Sequence, residues 1–507
     1  MTHDVYRTGL VVVGSGAAGL TAALSAAARG VEVTVVERTA SVGGTSAMSG
    51  GLVYAPGTRL AADVGHDMDP AAVLTYLRAV ARRPLDEEVV EAYLDAAPDL
   101  ADFLAARGVG LRLTGLGDYY QDAPGAGTGR VIATTPFDPE ELGDWAALIR
   151  GNPYRPDPDA VPWTAGMSLI AHLVAACLRA GVVIRTGWRA DELLVADGAV
   201  RGVRGRAPDG RAEQIEGRNG VVLASGGAEF DPATVSARIP HGPEAAWSCP
   251  ANTGDGLRMA EAAGAGRAEL DVQWYGLLRL TDAEVEGEPL MHDASPARNL
   301  PGSIVVDRTG RRFANEGGQF QDFGRALAAD GRRPAWLVVD QQFVDDYGPR
   351  AFGSATLTDP HWTSAGSVEE LAILLGADPE TLVVSVARFS ESAGRGADPD
   401  FGRGATAFDQ AWGDPDRAGA AACLAPLHRA PFHATRMYVG CSGTTGGVPV
   451  DAGSRVLTGD GSVVPGLYAV GNVVANPFGG AAPGSGSTLG PGMVAGYLVG
   501  RAAGASM

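Results

Sequence analysis

The stretch "LVVVGSGAAGLTAALSAAARGVEVTVVER", Leu10 to Arg38, admits few folds. Leu10 to Val13 is a short apolar run of the kind that makes a buried parallel strand. It runs into Gly14, Gly16 and Gly19, a G-x-G-x-x-G turn, and then into an Ala-rich helix predicted from Ala17 to Ala28. A second strand, Val31 to Val36, ends at Glu37. Each part has a physical task in holding a dinucleotide. Gly14 makes the turn, Gly16 lets backbone approach a pyrophosphate, and Gly19 lets helix and strand pack closely. The helix N-terminus at Ala17 and Ala18 offers unpaired N–H groups and a positive dipole end. Glu37, followed by Arg38, stands 23 positions after Gly14, where an acid can take ribose hydroxyls.

Three further segments indicate which dinucleotide. Directly downstream lie Gly43, Gly44, Thr45, Ser46, Ser49, Gly50 and Gly51, small and hydroxylated where a nicotinamide domain would continue with another helix and strand. Much later "GVVLASGGAEFD" sets an apolar strand before Ser225, Gly226 and Gly227, with Asp255 beyond. Last, "GLYAVGN" ends a strand in Gly471 and Asn472, and the bare run Phe478–Met493 follows, containing Ser487, Thr488 and Leu489. Glycine-rich strand ends from distant parts of the chain, converging on one ligand, predict FAD. A helix over Pro491 to Ala503 would point its N-terminus at the isoalloxazine and favour negative charge there. No second strand-linked G-x-G-x-x-G exists, so no NAD(P)H domain is expected. Electrons then enter or leave through the substrate and an external acceptor or donor.

Composition removes other classes. The formal charge of −19 argues against nucleic acid or an anionic membrane as partner. The chain has no lysine, which excludes a Schiff-base lysine and a Walker-type phosphate loop. Cys177, Cys249, Cys423 and Cys441 form no C-x-x-C pair, and the 8 histidines form no H-x-x-x-H, so no metal site is expected. The apolar segment near the start is interrupted by glycines and lacks a basic lead, so neither a membrane span nor a signal peptide is expected. The reading is of a cytoplasmic protein. The Pro-Asp run "NPYRPDPDAVP" reads as a surface loop or lid.

"VVVGSGAAGLTAA", "ERTASVGGTSAMSGG", "TGDGLRMAEAAGA", "LPGSIVVDRTGRRFANE" and "GLYAVGN" together resemble the fumarate reductase and 3-ketosteroid dehydrogenase superfamily of FAD proteins, over nearly the whole chain. The resemblance implies an α/β fold: a discontinuous Rossmann-like FAD domain, 1–273 and 446–507, with an inserted α+β catalytic capping domain, 274–445. "IVVDRTGRRFAN" reads as a hairpin with a D-R-T-G turn. Within the superfamily the fumarate branch needs a His before its late Thr-x-Gly-Gly motif and a C-terminal Arg. Here Gly443 and about Thr488 stand at those places, and no His lies in the early Gly43–Gly51 segment where some relatives attach flavin covalently. "GDYYQDAPGAGTGRVIATTPFDPEELG", "ARNLPGSIVVD" and "STLGPGMVAGYL" resemble instead the 3-ketosteroid Δ1-dehydrogenase branch, which implies non-covalent FAD.

Desaturation beside a carbonyl needs a base for the α proton, donors for the developing enolate oxygen, and flavin N5 to accept the β hydride. In the resembling family tyrosines and a glycine N–H carry the first two tasks. Gly486 matches that glycine, and Tyr119 or Tyr120 matches the early tyrosine. Two adjacent tyrosines cannot share one face of a strand, so one of them at most reaches the flavin. The other two family tyrosines fall on Ala482 and Phe320. Losing an oxyanion donor costs roughly 10²–10³ in rate, and losing a general base about 10²–10⁴, so the substrate or the reaction is expected to differ from a steroid 1,2-desaturation. Tyr275, Arg298 and His433 are further candidates, each weighed against aromatic packing, a salt bridge or a hydrogen-bonded structural role. The expected function is dehydrogenation of a cyclic, largely apolar carbonyl substrate. The same groups would serve an ene-reductase running in reverse, and Ala482 with Phe320 would also suit a non-catalytic electron carrier.

Overall fold

A computed structural model describes residues 4–66, 69–154, 157, 160–353, 355, 357 and 359–505. The Pro-Asp run falls partly outside them, at 155, 156, 158 and 159. The chain divides into two compact units. The first comprises Met1–Thr234, Ser248–Asp271 and Gly443–Met507; the second comprises Val235–Trp247 and Val272–Ser442. Residues 235–247, grouped with the FAD domain on sequence, thus pack within the second unit.

The first unit is built on a six-stranded sheet in the order Arg455–Leu457, Val463–Ala469, Val221–Leu223, Leu10–Val13, Val33–Val36, Val183–Arg185. All neighbours are parallel except the Arg455–Leu457 edge, and the strand Leu10–Val13 is buried throughout. Such burial on both faces explains why those strands read as unbroken apolar runs. The helix Ala17–Ala27 packs against the C-terminal helix Leu489–Ala505. Their close approach depends on glycine: a Cβ on Gly496 would lie 2.4 Å from the Ala18 carbonyl, and one on Gly500 2.4 Å from Ser25 Cβ. Ser25 Oγ donates to the Tyr497 carbonyl at 2.8 Å and fixes the crossing. The helix begins at Leu489, two residues before the sequence-based start at Pro491, because Gly490 N–H already bonds the Gly486 carbonyl. A four-stranded sheet (Asp4–Thr8, Ala212–Gly217, Ala199–Arg206, Arg189–Ala196) and a three-stranded one (Leu52–Tyr54, Val131–Thr134, Leu111–Leu113) complete the unit.

The second unit has a mixed sheet running His292–Asp293, Leu270–Leu278, Phe432–Gly446, Ala335–Asp340, Ser303–Val306, with Trp362–Ala365 also paired to Phe432–Gly446. Its core joins Ile304, Val306 and Val338 to Leu371, Leu382, Val386 and Phe389 of the helices Val368–Leu375 and Pro379–Gly394. The expected D-R-T-G turn forms, with Gly310 N–H on the Asp307 carbonyl and Gly310 at φ +90°. The expected hairpin does not. Only one bridge, Val306 to Arg312, follows the turn, and Ser303–Val306 pairs antiparallel with Ala335–Asp340 instead. Arg312 leaves the strand to enter a buried ion cluster, which a continuing ladder would prevent.

Candidate functional site

In the first unit the glycines of the turn divide by what encloses them. Gly14 sits at φ +110°, and a Cβ there would meet the Ala224 carbonyl at 2.3 Å. A Cβ on Gly19 would meet the Gly14 carbonyl at 2.2 Å. These two are demanded by the protein's own packing. Gly16 is not: its φ is −68°, and the nearest atom to a built Cβ is Ser46 Oγ at 3.4 Å. Gly44 has open space within 4 Å. Bare backbone facing space at a helix N-terminus that has no side-chain cap is what a pyrophosphate requires. The residues present therefore fit FAD.

The acid expected to hold ribose is also the joint of three loops. Glu37 Oε2 accepts from Ser15 N–H at 3.2 Å and Ser15 Oγ at 2.6 Å, and Oε1 accepts from Thr39 N–H at 2.9 Å. Ser15 Oγ in turn accepts from Gly43 N–H at 3.0 Å. A carboxylate has about four acceptor positions, so ribose hydroxyls can still be served. The hydroxylated loop is held the same way. Ser46 Oγ accepts from Ala17 N–H at 3.1 Å, Ser49 Oγ donates to the Ser46 carbonyl at 2.8 Å, and Thr45 Oγ1 accepts from Cys249 N–H and Asn252 Nδ2. Gly51, at φ +64°, packs against Ala165, while Gly50 has only Leu52 within reach. Arg38 and Asp255, both expected to face the cofactor, bind each other at 3.0 Å, and Arg38 also holds Thr253 and the Ala251 carbonyl. The pair ties the end of the second strand to the helix Asp255–Ala262.

Past Ser225, Gly226 and Gly227 the structure shows an acid that sequence reasoning missed. Glu229 is buried and accepts from Ser248 Oγ at 2.7 Å, Asn252 Nδ2 at 2.7 Å and Thr444 N–H at 3.0 Å. Four short polar contacts knit 226–229, 248–252 and 443–444 together. The only signal in the chain was an acid two residues after a glycine pair, which is too common to mark a site. Asn472, in the turn Gly471–Val473, closes over the same place: a Cβ on Gly443 would lie 2.8 Å from Asn472 Nδ2 and 3.5 Å from Glu229 Oε1.

The bare segment before the last helix is clamped. The Pro483 carbonyl accepts from Tyr76 OH at 2.5 Å and Tyr119 N–H at 2.9 Å. Asn476 Nδ2 donates to the Ser487 carbonyl at 2.6 Å, and Thr488 opens the helix through its carbonyl. Gly486, at φ +81°, presses on Leu52, where a Cβ would meet the carbonyl at 2.4 Å; its own carbonyl accepts from Tyr54 N–H and Gly490 N–H. Tyr119 OH lies 2.8 Å from Ser485 Oγ. Tyr120 is partly buried and packs on the hydrophobic core. Beside Tyr119, Asp118 is buried among Tyr54 OH at 2.8 Å, Gly127 N–H at 2.9 Å and Arg130 Nη1 at 2.5 Å. Burial pushes the Asp118 carboxyl up to about 6, against the opposing pull of Arg130.

Within the second unit, the two remaining candidates are committed to structure. Arg298 is buried, its guanidinium hydrogen-bonded to the carbonyls of Glu316 and Gly318 and set over the Phe323 ring at 4.5 Å. Burial lowers it to about 10. His433 uses both ring nitrogens, on Ser364 Oγ at 2.8 Å and Gln341 Oε1 at 3.2 Å, and burial holds it below the ordinary histidine range. Both have the hydrogen-bonded structural surroundings weighed against a catalytic role from sequence. Tyr275 stacks flat on Phe320, ring centroids 4.3 Å apart, with Trp247 edge-on.

This fold, with its glycine turn and paired loops, is that of an FAD-binding flavoprotein. Residues 9–489 match the FAD binding domain family, and the chain belongs to that family; its cofactor is FAD. Among its relatives is the 4-oxocyclohexanecarboxylate 2-dehydrogenase of Sinomonas cyclohexanicum, 35% identical over 547 residues, covering 99% of this chain and 92% of that protein. The 3-oxosteroid 1-dehydrogenase of Mycobacterium tuberculosis is 33% identical, covering 97% of this chain and 98% of that one. The crystal structure of 3-ketosteroid Δ1-dehydrogenase from Sterolibacterium denitrificans, in complex with 1,4-androstadiene-3,17-dione, superposes with a TM-score of 0.89 at 29% identity, over 99% of this chain and all of that one. A flavocytochrome c3 fumarate reductase shares the fold at 21% identity and TM-score 0.70. Among the described residues no helix is long and apolar enough to cross a membrane, and no cluster of metal-binding side chains is present.

Proposed function

We propose that this chain is a ring-ketone dehydrogenase, which removes two hydrogens from adjacent carbons, the first of them beside the carbonyl, and leaves a C=C bond. The observation that carries the reading is the contact of Tyr119 OH with Ser485 Oγ beside Gly486, a phenol held next to a glycine turn. Tyr119 takes the α proton, and the Gly486 N–H holds the carbonyl oxygen as it gains charge. Bound FAD supplies the acceptor for the hydrogen and electron pair that leave the β carbon. Gly14, Gly16, Ala17, Ala18, Gly19, Glu37 and the 43–51 loop hold its adenosine and pyrophosphate, and Gly226, Gly227, Gly471, Asn472 and Ser487 to Leu489 hold the remainder. Attachment is non-covalent, since the 43–51 loop contains no histidine.

Dicarboxylate chemistry is disfavoured by position 443. Its φ of +145° and the closeness of Asn472 and Glu229 leave no place for a histidine. The relatives named for ring ketones support the substrate class, from a monocyclic oxo acid to a steroid. An external acceptor must then reoxidise the flavin, since the chain has one dinucleotide motif. Four free, buried cysteines suit a reducing cytoplasm.

Anaerobic titration tests this. Purified holoprotein is mixed with 4-oxocyclohexanecarboxylate or with a 3-ketosteroid saturated at C1–C2, and the oxidised flavin band is followed. Bleaching by either is the expected result, and which of them bleaches it faster sets the ring size. A spectrum unchanged by both overturns the reading.

A further inference from the structure

Tyr119 is separated by 366 positions from its hydroxyl partner Ser485, and both side chains are buried. The contact is held in register from both sides. The Tyr119 backbone N–H and the Tyr76 hydroxyl both donate to the Pro483 carbonyl, two residues before Ser485. Tyr76 OH also accepts from Tyr120 N–H at 3.3 Å. On the other side of Ser485, Gly486 is pressed on Leu52 and cannot shift toward it. A buried serine at the end of so fixed a turn cannot drift away from the phenol.

The chemistry of the pair follows by counting protons. Two hydroxyls in mutual contact use one O–H between them and keep one to give outward. When the phenol has lost its proton, the serine still has one, and it points at the phenolate oxygen. Hydrogen bonds to a charged oxygen are about twice as strong as neutral ones. Asp118, Arg130 and Tyr76, the charged and titratable neighbours, each have partners of their own. Asp118 is engaged by Tyr54, Gly127 and Arg130, Arg130 is spent on Asp118 and the Gly125 carbonyl, and Tyr76 on Pro483.

We propose that Ser485 is a positioning residue for the dehydrogenation, aiming the Tyr119 hydroxyl and donating to its oxygen while the proton is transferred. This rests on the reading of Tyr119 as the proton-transfer group. Ser485 acts through Tyr119, so its removal is felt in the rate of the chemical step and not in assembly of the holoprotein.

The test uses full-length holoprotein carrying Ser485→Ala, Ser485→Thr, Ser485→Cys, Tyr119→Phe and the double change Ser485→Ala/Tyr119→Phe. Three quantities are measured for each: FAD content, the rate constant of anaerobic flavin bleaching by whichever ring ketone reduces the wild type, and the equilibrium dissociation constant of 1,4-androstadiene-3,17-dione or 4-oxocyclohex-2-ene-1-carboxylate from the perturbed flavin spectrum. Ser485→Ala is expected to slow bleaching by about 10–100-fold, the size of a lost hydrogen bond to a charged group, with FAD content unchanged and ligand dissociation constant within about threefold. Ser485→Thr restores most of the rate, and Ser485→Cys, a weak donor, falls between. The double change is no slower than Tyr119→Phe alone, because both act through one oxygen. Wild-type rates in Ser485→Ala, or rate losses that multiply in the double variant, would overturn the role of Ser485 while leaving the dehydrogenase intact. A wild type neither bleached nor perturbed by any of these ketones removes the dehydrogenase reading and this role with it.

Discussion

Each unit buries a carboxylate beside arginine, and the two come out opposite. In the first unit Asp118 meets one guanidinium, Arg130, and two neutral donors, Tyr54 OH and Gly127 N–H. Burial outweighs them and the carboxyl rises to about 6. In the second unit Glu316 is equally enclosed, yet it stays below the usual carboxylate range. Burial again acts upward there, but Arg312 binds both Glu316 oxygens, at 2.8 and 2.7 Å, Arg403 lies 3.5 Å away, and Val305 N–H adds a fourth donor. Asp398 completes that cluster by pairing Arg312 at 2.9 Å. Asp118 touches one guanidinium and stays marginal, whereas Glu316 touches two and stays ionised. The secure cluster braces a structural turn. The marginal one lies beside the residues proposed to move a proton, where neutral or charged forms of Asp118 are close in free energy.

The comparison breaks most forcefully at Arg312. Arg312→Met strands Glu316 and Asp398 without their shared cation, and removing one partner of a buried pair costs about 3–5 kcal/mol. Urea denaturation should show that loss. Arg130→Met is expected to cost less, about 1–3 kcal/mol, because Asp118 already titrates high, at about 6, and can take up a proton. Equal losses from the two would dissolve the contrast.

The pH dependence sharpens it. Asp118 titrates higher folded than unfolded, so its contribution to stability is present below its ordinary value of 3.8 and is lost as pH rises through about 6. At about 1.4 kcal/mol per unit, the difference amounts to about 3 kcal/mol. Glu316 is depressed, so its contribution is present above its ordinary value of 4.5 and disappears as pH falls through the folded value. Unfolding free energy measured at intervals from about pH 3 to about pH 8 is compared with Asp118→Asn and Glu316→Gln. Wild type minus Asp118→Asn should decline between about pH 4 and 6; wild type minus Glu316→Gln should rise over the acid range. The smallest effect belongs to the mostly buried pair Arg38–Asp255, where Arg38→Ala should cost about 0.2–1 kcal/mol and fade with salt. A larger, salt-insensitive loss there would point to a direct role in holding FAD.

Much of the first unit was legible because its signals are local. The strand Leu10–Val13, the turn glycines and the helix that begins at Ala17 lie within one short stretch, and steric rules act between near neighbours. The final helix was legible for the same reason. The surroundings of Arg298 and His433 were not legible, because a side chain's burial is not written in its neighbours in sequence. Nothing near Arg298 announces that the carbonyls of Glu316 and Gly318 will claim it. The turn after Asp307 was legible, but its strand's true partner lies at Ala335–Asp340, and pairing at a distance depends on which edge the rest of the sheet leaves available.

By itself the sequence determined that this chain would bind a dinucleotide on a parallel sheet, since glycine spacing and apolar runs restrict the backbone directly. It also determined what chemistry is absent, because a residue type that is missing cannot act. Only the tertiary structure decided that Tyr119 meets Ser485, that Glu229 joins three loops, and that Arg38 pairs with Asp255. Those outcomes depend on burial and on hydrogen bonds between segments up to hundreds of residues apart, and such contacts exist only once the chain has closed on itself.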